Sequence, residues 1–275
     1  MRLRIGNQTA CSAASPLDPF EFAVAAGFDA FEFFPDRGPS GRGGWMEGDL
    51  DAGTRQAIRQ RAAAAGIQLS VHAPLDWDLL REPAGERLDR VMAFTTELGA
   101  VLINLHLELG HGVEAFVAAL EPACRRTAEA GVRLAVENTV YTGPEDFNRF
   151  FTALGRCRAL PITHVGMTFD LGHANLYAAT RNNYWRYLDA LTPIVPLAHL
   201  HLHENFGDRD SHLPLFTGPA RDNPSGIQGM VERLERRGFA GCAILEQWPQ
   251  PPSLLVEARD GLARMAARGG PPPCS

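Results

Sequence analysis

The sequence predicts a single-domain α/β protein with the (β/α)8 TIM barrel fold. Amphipathic stretches that end in glycine are followed several times by short apolar runs, as in AAGFDAFEFF, ELGAVLINLH and AEAGVRLAVEN. Glycine at that point is typical of a helix C-terminal cap, and a continuous apolar run is typical of a parallel strand buried on both faces. The length of 275 residues also suits one barrel, since this fold needs about 250.

Eight apolar runs occur in order along the chain, and each is predicted to be one strand. They lie near residues 2–7, 29–34, 67–72, 101–106, 132–137, 165–170, 197–203 and 241–246. Five of them follow the predicted cap glycines Gly27, Gly66, Gly99, Gly131 and Gly238. Helical patterns fill most intervals, and eight βα units specify a barrel. Residues 1–268 are therefore predicted to form one barrel, with 269–275 (GGPPPCS) as a disordered tail.

Composition excludes several classes of function. All 26 basic side chains are arginine, so the chain has no lysine amine for a Schiff-base aldolase or for pyridoxal phosphate (PLP). No nucleotide cofactor is expected either. The formal net charge of −6 argues against nucleic acid as a partner, because such binding depends on clustered basic side chains.

Cysteine usage and hydropathy indicate a cytoplasmic protein. The five cysteines are scattered and form no CxxC pair, which favours neither a disulfide framework nor a thiolate metal site. No apolar run approaches the roughly 18–20 residues of a membrane helix, and the first residues lack the apolar segment of a signal peptide. Assembly into homo-oligomers stays open.

Potential metal ligands stand at the ends of six consecutive predicted strands. In a barrel of this kind, catalytic groups come from the C-terminal ends of strands and the loops after them. Three carboxylates buried side by side need cations to neutralise them, so the pattern predicts a divalent metal site, with a hydrogen-bonded ion network as the alternative. The strand-end residues are His72, His106, Glu137, Asp170, His201 and Glu246, and the following loops add His173, Asp210 and His212. All are oxygen or nitrogen donors, which favours Zn, Mn, Fe, Co or Mg.

Other side chains near these strand ends are candidates for different roles. Strand alternation makes His199 a packed core residue one layer below His201, and His203 a candidate substrate contact. Trp45, in the glycine-rich segment 38–48, is either a lid residue or part of an ordinary exposed loop. Trp77 is expected to line the pocket beside His72. Trp248 either forms an apolar wall against substrate or packs at the barrel rim.

These residues together resemble the xylose isomerase-like TIM barrels, a family that includes sugar phosphate isomerases and epimerases and the endonuclease IV branch of abasic-site nucleases (AP endonuclease family 2). The resemblance spans essentially the whole chain. It is carried by VHAP at 71–74, VEN at 136–138, FDLGHA at 169–174, HLHEN at 201–205, DRDSHLP at 208–214 and LEQ at 245–247. One departure is that family members usually continue from HLP into a Gly-x-Gly turn, whereas this chain runs LFTGPARDNPSG.

The epimerase branch implies one divalent ion, typically Mn, Mg or Co, held by Glu137, Asp170, His201 and Glu246. Glu137 and Glu246 would then remove and return a proton beside the substrate carbonyl, while the metal stabilises the enediolate. His173 and Arg209 become candidates for binding substrate oxygens. The first hypothesis is therefore a metal-dependent sugar or sugar-phosphate isomerase or epimerase with a small carbohydrate substrate.

The endonuclease IV branch implies three zinc ions, and all nine matching ligand positions are filled here, including His72, His106, His173, Asp210 and His212. A multi-zinc phosphodiester hydrolase is therefore the second hypothesis, and a non-catalytic metal- or ligand-binding barrel is the third. The acidic, lysine-free composition, expected short loops after the third and fourth strands, and the lack of a basic and aromatic cluster favour a small molecule over DNA.

Overall fold

The computed structural model describes residues 3–9, 13, 15–37 and 44–268, and within them eight parallel strands close into a barrel. The predicted (β/α)8 TIM barrel is thus confirmed. The tail at 269–275 and most of the glycine-rich segment lie outside the described residues. The strands are β1 (Arg4–Gln8), β2 (Ala30–Phe33), β3 (Gln68–His72), β4 (Leu102–His106), β5 (Arg133–Glu137), β6 (Val165–Asp170), β7 (Leu197–Leu202) and β8 (Cys242–Leu245).

Helices surround the barrel and follow the expected βα alternation. The long ones are α1 (Asp18–Ala26), α2 (Ala52–Ala65), α3 (Glu86–Leu98), α4 (Val113–Glu129), α5 (Pro144–Arg156), α8 (Ser225–Arg236) and α9 (Ser253–Arg268), and the shorter ones are α6 (Leu171–Leu176) and α7 (Trp185–Ala190). All five predicted cap glycines have positive φ angles. No described helix has the length and apolar character needed to cross a membrane.

Strand register brings the strand-end residues to one rim of the barrel. His106 on β4 pairs with Glu137 on β5, and Asp170 on β6 pairs with His201 on β7. The pairing of β6 with β7 is irregular, because its register shifts between Met167 and Thr168. Because these pairs are neighbours across adjacent strands, ligands that are distant in sequence meet at one end of the barrel.

A layer of hydrogen-bonded polar side chains fills the barrel interior below that rim. Glu32, Ser70, Asn104, Thr168 and His199 are all buried. Ser70 Oγ donates to Glu32 Oε2 at 2.7 Å, and Thr168 Oγ1 donates to Asn104 Oδ1 at 2.6 Å. The other face of the strands packs apolar side chains such as Phe31 and Phe33 against the helices. The barrel therefore has an apolar outer core and a polar centre that supports the rim.

Two expectations about loops are wrong. The segment between β3 and α3 covers residues 73–85 and is not short, because turns around Trp77 and Asp78 build a small folded unit there. Trp45 is neither a lid nor an exposed residue, since only 3% of it is exposed. Its ring packs against Phe33 and Phe94, with ring centroids 6.1 and 5.7 Å away.

Candidate metal centre

Four side chains on the barrel axis form what we call the inner cluster. One ligand atom from each lies within 4.8 Å of the others. Strands β5, β6 and β7 supply three of them, and the fourth follows β8 directly. Exposure is at most 6% for every member. The inner cluster consists of Glu137, Asp170, His201 and Glu246.

Distances inside the cluster match the edges of a metal coordination shell. His201 Nδ1 lies 3.0 Å from Glu137 Oε2 and 3.3 Å from Glu246 Oε1. Ligands bound at about 2.0–2.2 Å to one ion are separated by about 2.8–3.6 Å in octahedral or tetrahedral geometry. None of these contacts is a hydrogen bond by geometry, and His201 Nδ1 has no hydrogen-bond partner among the described residues. The spacing therefore fits a shared ion.

His72 and His106 stand beside the inner cluster on β3 and β4. Their Nε2 atoms lie 3.3 and 3.6 Å from the two oxygens of Glu137. His72 Nδ1 is 2.7 Å from the carbonyl oxygen of Ala73, which makes Nδ1 the donor and leaves Nε2 free as a ligand. His72, Glu137 and His201 thus form a second group able to hold an ion.

A third set of side chains, the outer cluster, lies toward the loops after β6 and β7. His173 Nε2 is 3.4 Å from Asp210 Oδ2, and His212 Nε2 is 3.2 Å from the same oxygen. His203 is fully buried, with Nε2 3.2 Å from Asp170 Oδ2 and Nδ1 3.7 Å from Asp210 Oδ1. The outer cluster comprises His173, His203, Asp210 and His212. His203, expected to touch substrate, therefore lies among ligand candidates.

Local backbone contacts fix the VEN and FDLGHA segments at the rim. The side chain of Asn138 donates to the carbonyl of Asp170 at 3.0 Å, and its Oδ1 accepts from the Asp170 amide at 2.8 Å. Asp170 in turn accepts the amide of His173 at the start of α6. A Cβ at Gly172 would come within 1.9 Å of the His203 ring. Glycine is required there because the imidazole occupies that space.

The pKa shifts of the inner-cluster residues indicate how their charges interact. Burial raises the pKa of Glu137 and Asp170, but the nearby histidines lower it by more. As a result, the pKa of Glu137 lies well below its usual range and that of Asp170 falls to about 2. Burial likewise lowers the pKa of His201, yet Glu137, Glu246 and Glu32 hold it well above its ordinary value. The neighbouring histidines thus favour the ionised form of these carboxylates.

Unpartnered polar atoms at the same place test whether a divalent ion fits. Within the described part of the chain, six atoms of the ligand candidates are buried without a hydrogen-bond partner: Glu137 Oε1, Asp170 Oδ2, His201 Nδ1, Glu246 Oε2 and both ring nitrogens of His203. Buried polar atoms are normally paired, and each unpaired one costs about 1–3 kcal/mol. One ligand atom from each inner-cluster residue lies within 4.8 Å of the others, so a cation bound there would compensate for the missing hydrogen bonds of the inner cluster. The residues present therefore fit a divalent metal.

The loop after β7 is held in place by contacts of Glu204. Glu204 bridges Leu213 through two backbone hydrogen bonds, and its buried carboxylate accepts the amides of Gly218 and Ala220 at 3.2 and 2.7 Å. Where relatives are expected to carry a Gly-x-Gly turn, this chain has a carboxylate-anchored turn and a short 3-10 helix. That anchor holds the loop that carries Asp210 and His212.

The remaining candidate contacts lie at different depths. Trp77 is buried, and its Nε1 donates to the carbonyl of Glu82 at 2.9 Å. It borders a void of about 30 Å³ next to His72 and His106. Trp248 packs edge-on against Phe22 of α1. Arg209 is exposed and precedes Asp210 in the loop.

A large open cavity adjoins the candidate metal centre. It has a volume of about 1210 Å³ and begins at His106, His173 and Asp210. From there it extends between the loops after β4 and β5 toward Arg149 and Arg156 on α5. Tyr141, 87% exposed, stands at its edge. A small-molecule substrate can reach the outer ligands from this side.

Glu32 is the main functional candidate that sequence reasoning missed. Its carboxylate is fully buried on β2 and contacts His199 Nε2 at 2.9 Å and His201 Nε2 at 2.8 Å. These are hydrogen-bond lengths, shorter than the spacings around Glu137. A signal existed: in the run FEFF, one acidic residue interrupts a buried apolar strand, and strand alternation places it opposite the outward-facing Phe31 and Phe33.

Solved structures of other proteins share this architecture. A D-tagatose 3-epimerase-like protein has a TM-score of 0.71 at 18% identity, over 97% of this chain and 98% of its own. D-psicose 3-epimerase from Clostridium cellulolyticum H10 has a TM-score of 0.63 at 14% identity, over 97% and 96%. A Thermus thermophilus protein soaked with ZnCl2 has a TM-score of 0.65 at 22% identity, over 98% and 100%. At these identities the likeness is one of fold.

Sequence comparison gives one partial relative and one family. An uncharacterized protein of Methanocaldococcus jannaschii is 33% identical over 84 residues, which is 30% of this chain and 26% of that protein. The chain therefore spans about a quarter of the length of this curated relative. The family described as xylose isomerase-like TIM barrel matches residues 20–267. With that span and the closed eight-stranded barrel, the chain belongs to the xylose isomerase-like TIM barrel family.

Proposed function

We propose that the protein is a metal-dependent isomerase or epimerase of a sugar or sugar phosphate. The inner cluster carries this proposal: two carboxylates, Glu137 and Glu246, contact the same His201 nitrogen with one oxygen and keep the other unpartnered. Each carboxylate can thus help to hold an ion and still accept or return a proton. Several solved structures with this fold are named as sugar epimerases or epimerase-like proteins, which supports the same class of activity.

The chain's own residues supply the proton transfers and the positioning. Asp170 and His201 would hold a divalent ion with the two glutamates, and that ion would supply stabilisation of negative charge next to the substrate carbonyl. Glu137 and Glu246 would move the proton on the carbon beside that carbonyl. The cavity that begins at His106 and His173 gives the sugar room to enter.

Exchange of carbon-bound hydrogen with solvent tests this function. The metal-loaded protein is incubated in D2O with D-tagatose, D-fructose or L-ribulose, and deuterium next to the carbonyl is followed by NMR. Glu246→Gln should abolish exchange, whereas Glu121→Gln, which removes an exposed carboxylate of α4, should leave it unchanged. Exchange that persists in Glu246→Gln would refute the proposed proton transfer.

A second candidate function is phosphodiester hydrolysis at a multi-metal site. The observation that favours it is the gathering of His72, His106 and the outer cluster around the inner cluster, with spacings of 3.2–3.7 Å. Several adjacent ions suit activation of water and stabilisation of a leaving oxygen. Cleavage of an abasic-site duplex that depends on His72, His106 and His212 would support it, and no cleavage by fully metal-loaded protein would dismiss it.

A further inference from the structure

Four histidines of the rim each have one ring nitrogen hydrogen-bonded to an oxygen that can only accept, and His212 Nε2 also lies 3.2 Å from Asp210 Oδ2. In three of them Nδ1 faces a backbone carbonyl: His72 toward Ala73 at 2.7 Å, His173 toward Asn138 at 2.8 Å and His212 toward Glu246 at 2.9 Å. A carbonyl only accepts, so Nδ1 carries the proton in the neutral ring and Nε2 is left as the lone-pair donor.

His201 is arranged the opposite way. Its Nε2 lies 2.8 Å from the carboxylate of Glu32, and its Nδ1 faces Glu137 and Glu246 without a hydrogen-bond partner among the described residues. Nε2 is therefore the donor, and Nδ1 is the atom available to an ion. Among these four histidines, only His201 has a carboxylate rather than a carbonyl behind it.

Glu32 reaches His201 from across the barrel. β2 and β7 are separated by β1 and β8 in the closed sheet, so the contact passes through the polar interior. Ser70 Oγ and His199 Nε2 occupy the other oxygen of Glu32 at 2.7 and 2.9 Å. Three donors on one fully buried carboxylate hold it in a fixed orientation and compensate for its desolvation.

We propose that Glu32 is a positioning residue that fixes His201 in the Nε2–H form, so that His201 binds the metal ion through Nδ1. The inference rests on the metal-binding part of the proposed function. A carboxylate behind a ligating histidine orients the ring and makes it a stronger ligand, and loss of such a partner typically weakens metal affinity about 10–100-fold.

The experiment measures nitrogen ligation and metal affinity separately. In the 15N-labelled, Zn²⁺-loaded wild-type protein, long-range 1H–15N spectra should show His201 protonated at Nε2 and metal-bound at Nδ1. Glu32→Gln should weaken Zn²⁺ affinity about 10–100-fold in chelator competition. Glu47→Gln, which alters a buried carboxylate that belongs to none of the groups able to hold an ion, controls for loss of a buried charge and should leave affinity unchanged.

Each outcome is decisive. Metal bound to His201 at Nε2, or wild-type affinity in folded Glu32→Gln, would overturn the role of Glu32. A change confined to thermal stability, with ligation and affinity unaltered, would also overturn it. Wild-type protein that binds no divalent ion would defeat the proposed function and this inference together, whereas absent sugar exchange in a metal-loaded protein would defeat only the former.

Discussion

The inner and outer clusters contain the same kinds of side chain but are held by different parts of the fold. Inner-cluster residues lie on or directly after barrel strands and are at most 6% exposed. In the outer cluster, Asp210 and His212 come from a long loop, and their side chains are 36% and 39% exposed. Strand register fixes the first set, whereas the anchor of Glu204 fixes the loop of the second. A buried candidate ion site thus adjoins one that is partly open to solvent.

The largest expected difference between the clusters is in metal affinity. Asp170→Asn removes a buried carboxylate that no other group replaces, so affinity for Zn²⁺ or Mn²⁺ at the inner cluster should fall by more than about 100-fold. His212→Asn should remove at most an additional, weaker ion and leave the tightest site within about threefold of wild type. Isothermal titration and metal content after desalting measure both. Equal losses in the two variants would show that the clusters bind metal as one unit.

Thermal stability gives the next effect in size. Metal at about 100 times its Kd should stabilise the protein by about 2.7 kcal/mol, and a chelator should reverse this. His212→Asn should keep the metal-induced shift in Tm, whereas Asp170→Asn should lose it. Calorimetry with and without chelator checks this. A shift that survives in Asp170→Asn would place the tightest site outside the inner cluster.

The two clusters also differ in how far the sequence predicts them. Period-two alternation and cap glycines place Glu137, Asp170 and His201 correctly at strand ends, because local patterns determine where each strand lies. The register between strands then brings these ends together. Glu32 was missed because its partners His199 and His201 lie far away in the chain and on a strand across the barrel. Its isolated charge in an apolar run was the available signal.

The loop ligands depend on contacts that no local pattern encodes. Asp210 and His212 were predicted from their spacing after β7, but their placement depends on the carboxylate of Glu204 meeting the amides of Gly218 and Ala220. The burial of His203 likewise depends on the space left by Gly172. Such tertiary contacts override what residue type alone suggests about exposure.

Packing beneath the outer cluster gives a smaller effect. Gly172→Ala would place a methyl group 1.9 Å from His203 Cε1, and overpacking of this kind costs about 1–3 kcal/mol of stability. The matched change Gly155→Ala in α5 meets no atom within 4 Å and should stabilise the helix by about 0.5–1 kcal/mol. Urea unfolding of the metal-free proteins measures both free energies. Unchanged stability in Gly172→Ala would mean that the His203 ring moves freely, so that the outer cluster is looser than its burial implies.

The smallest effect separates a structural from a substrate-binding role for Trp77. Its indole Nε1 donates to Glu82, and the adjoining void of about 30 Å³ is far too small for a sugar. Trp77→Phe should therefore lower the free energy of unfolding by about 1 kcal/mol through the lost hydrogen bond. Metal affinity and the KM for any sugar that exchanges deuterium should stay unchanged. A raised KM with unaltered stability would instead make Trp77 a pocket residue, and would mean that the segment 73–85 opens to admit substrate beside His72.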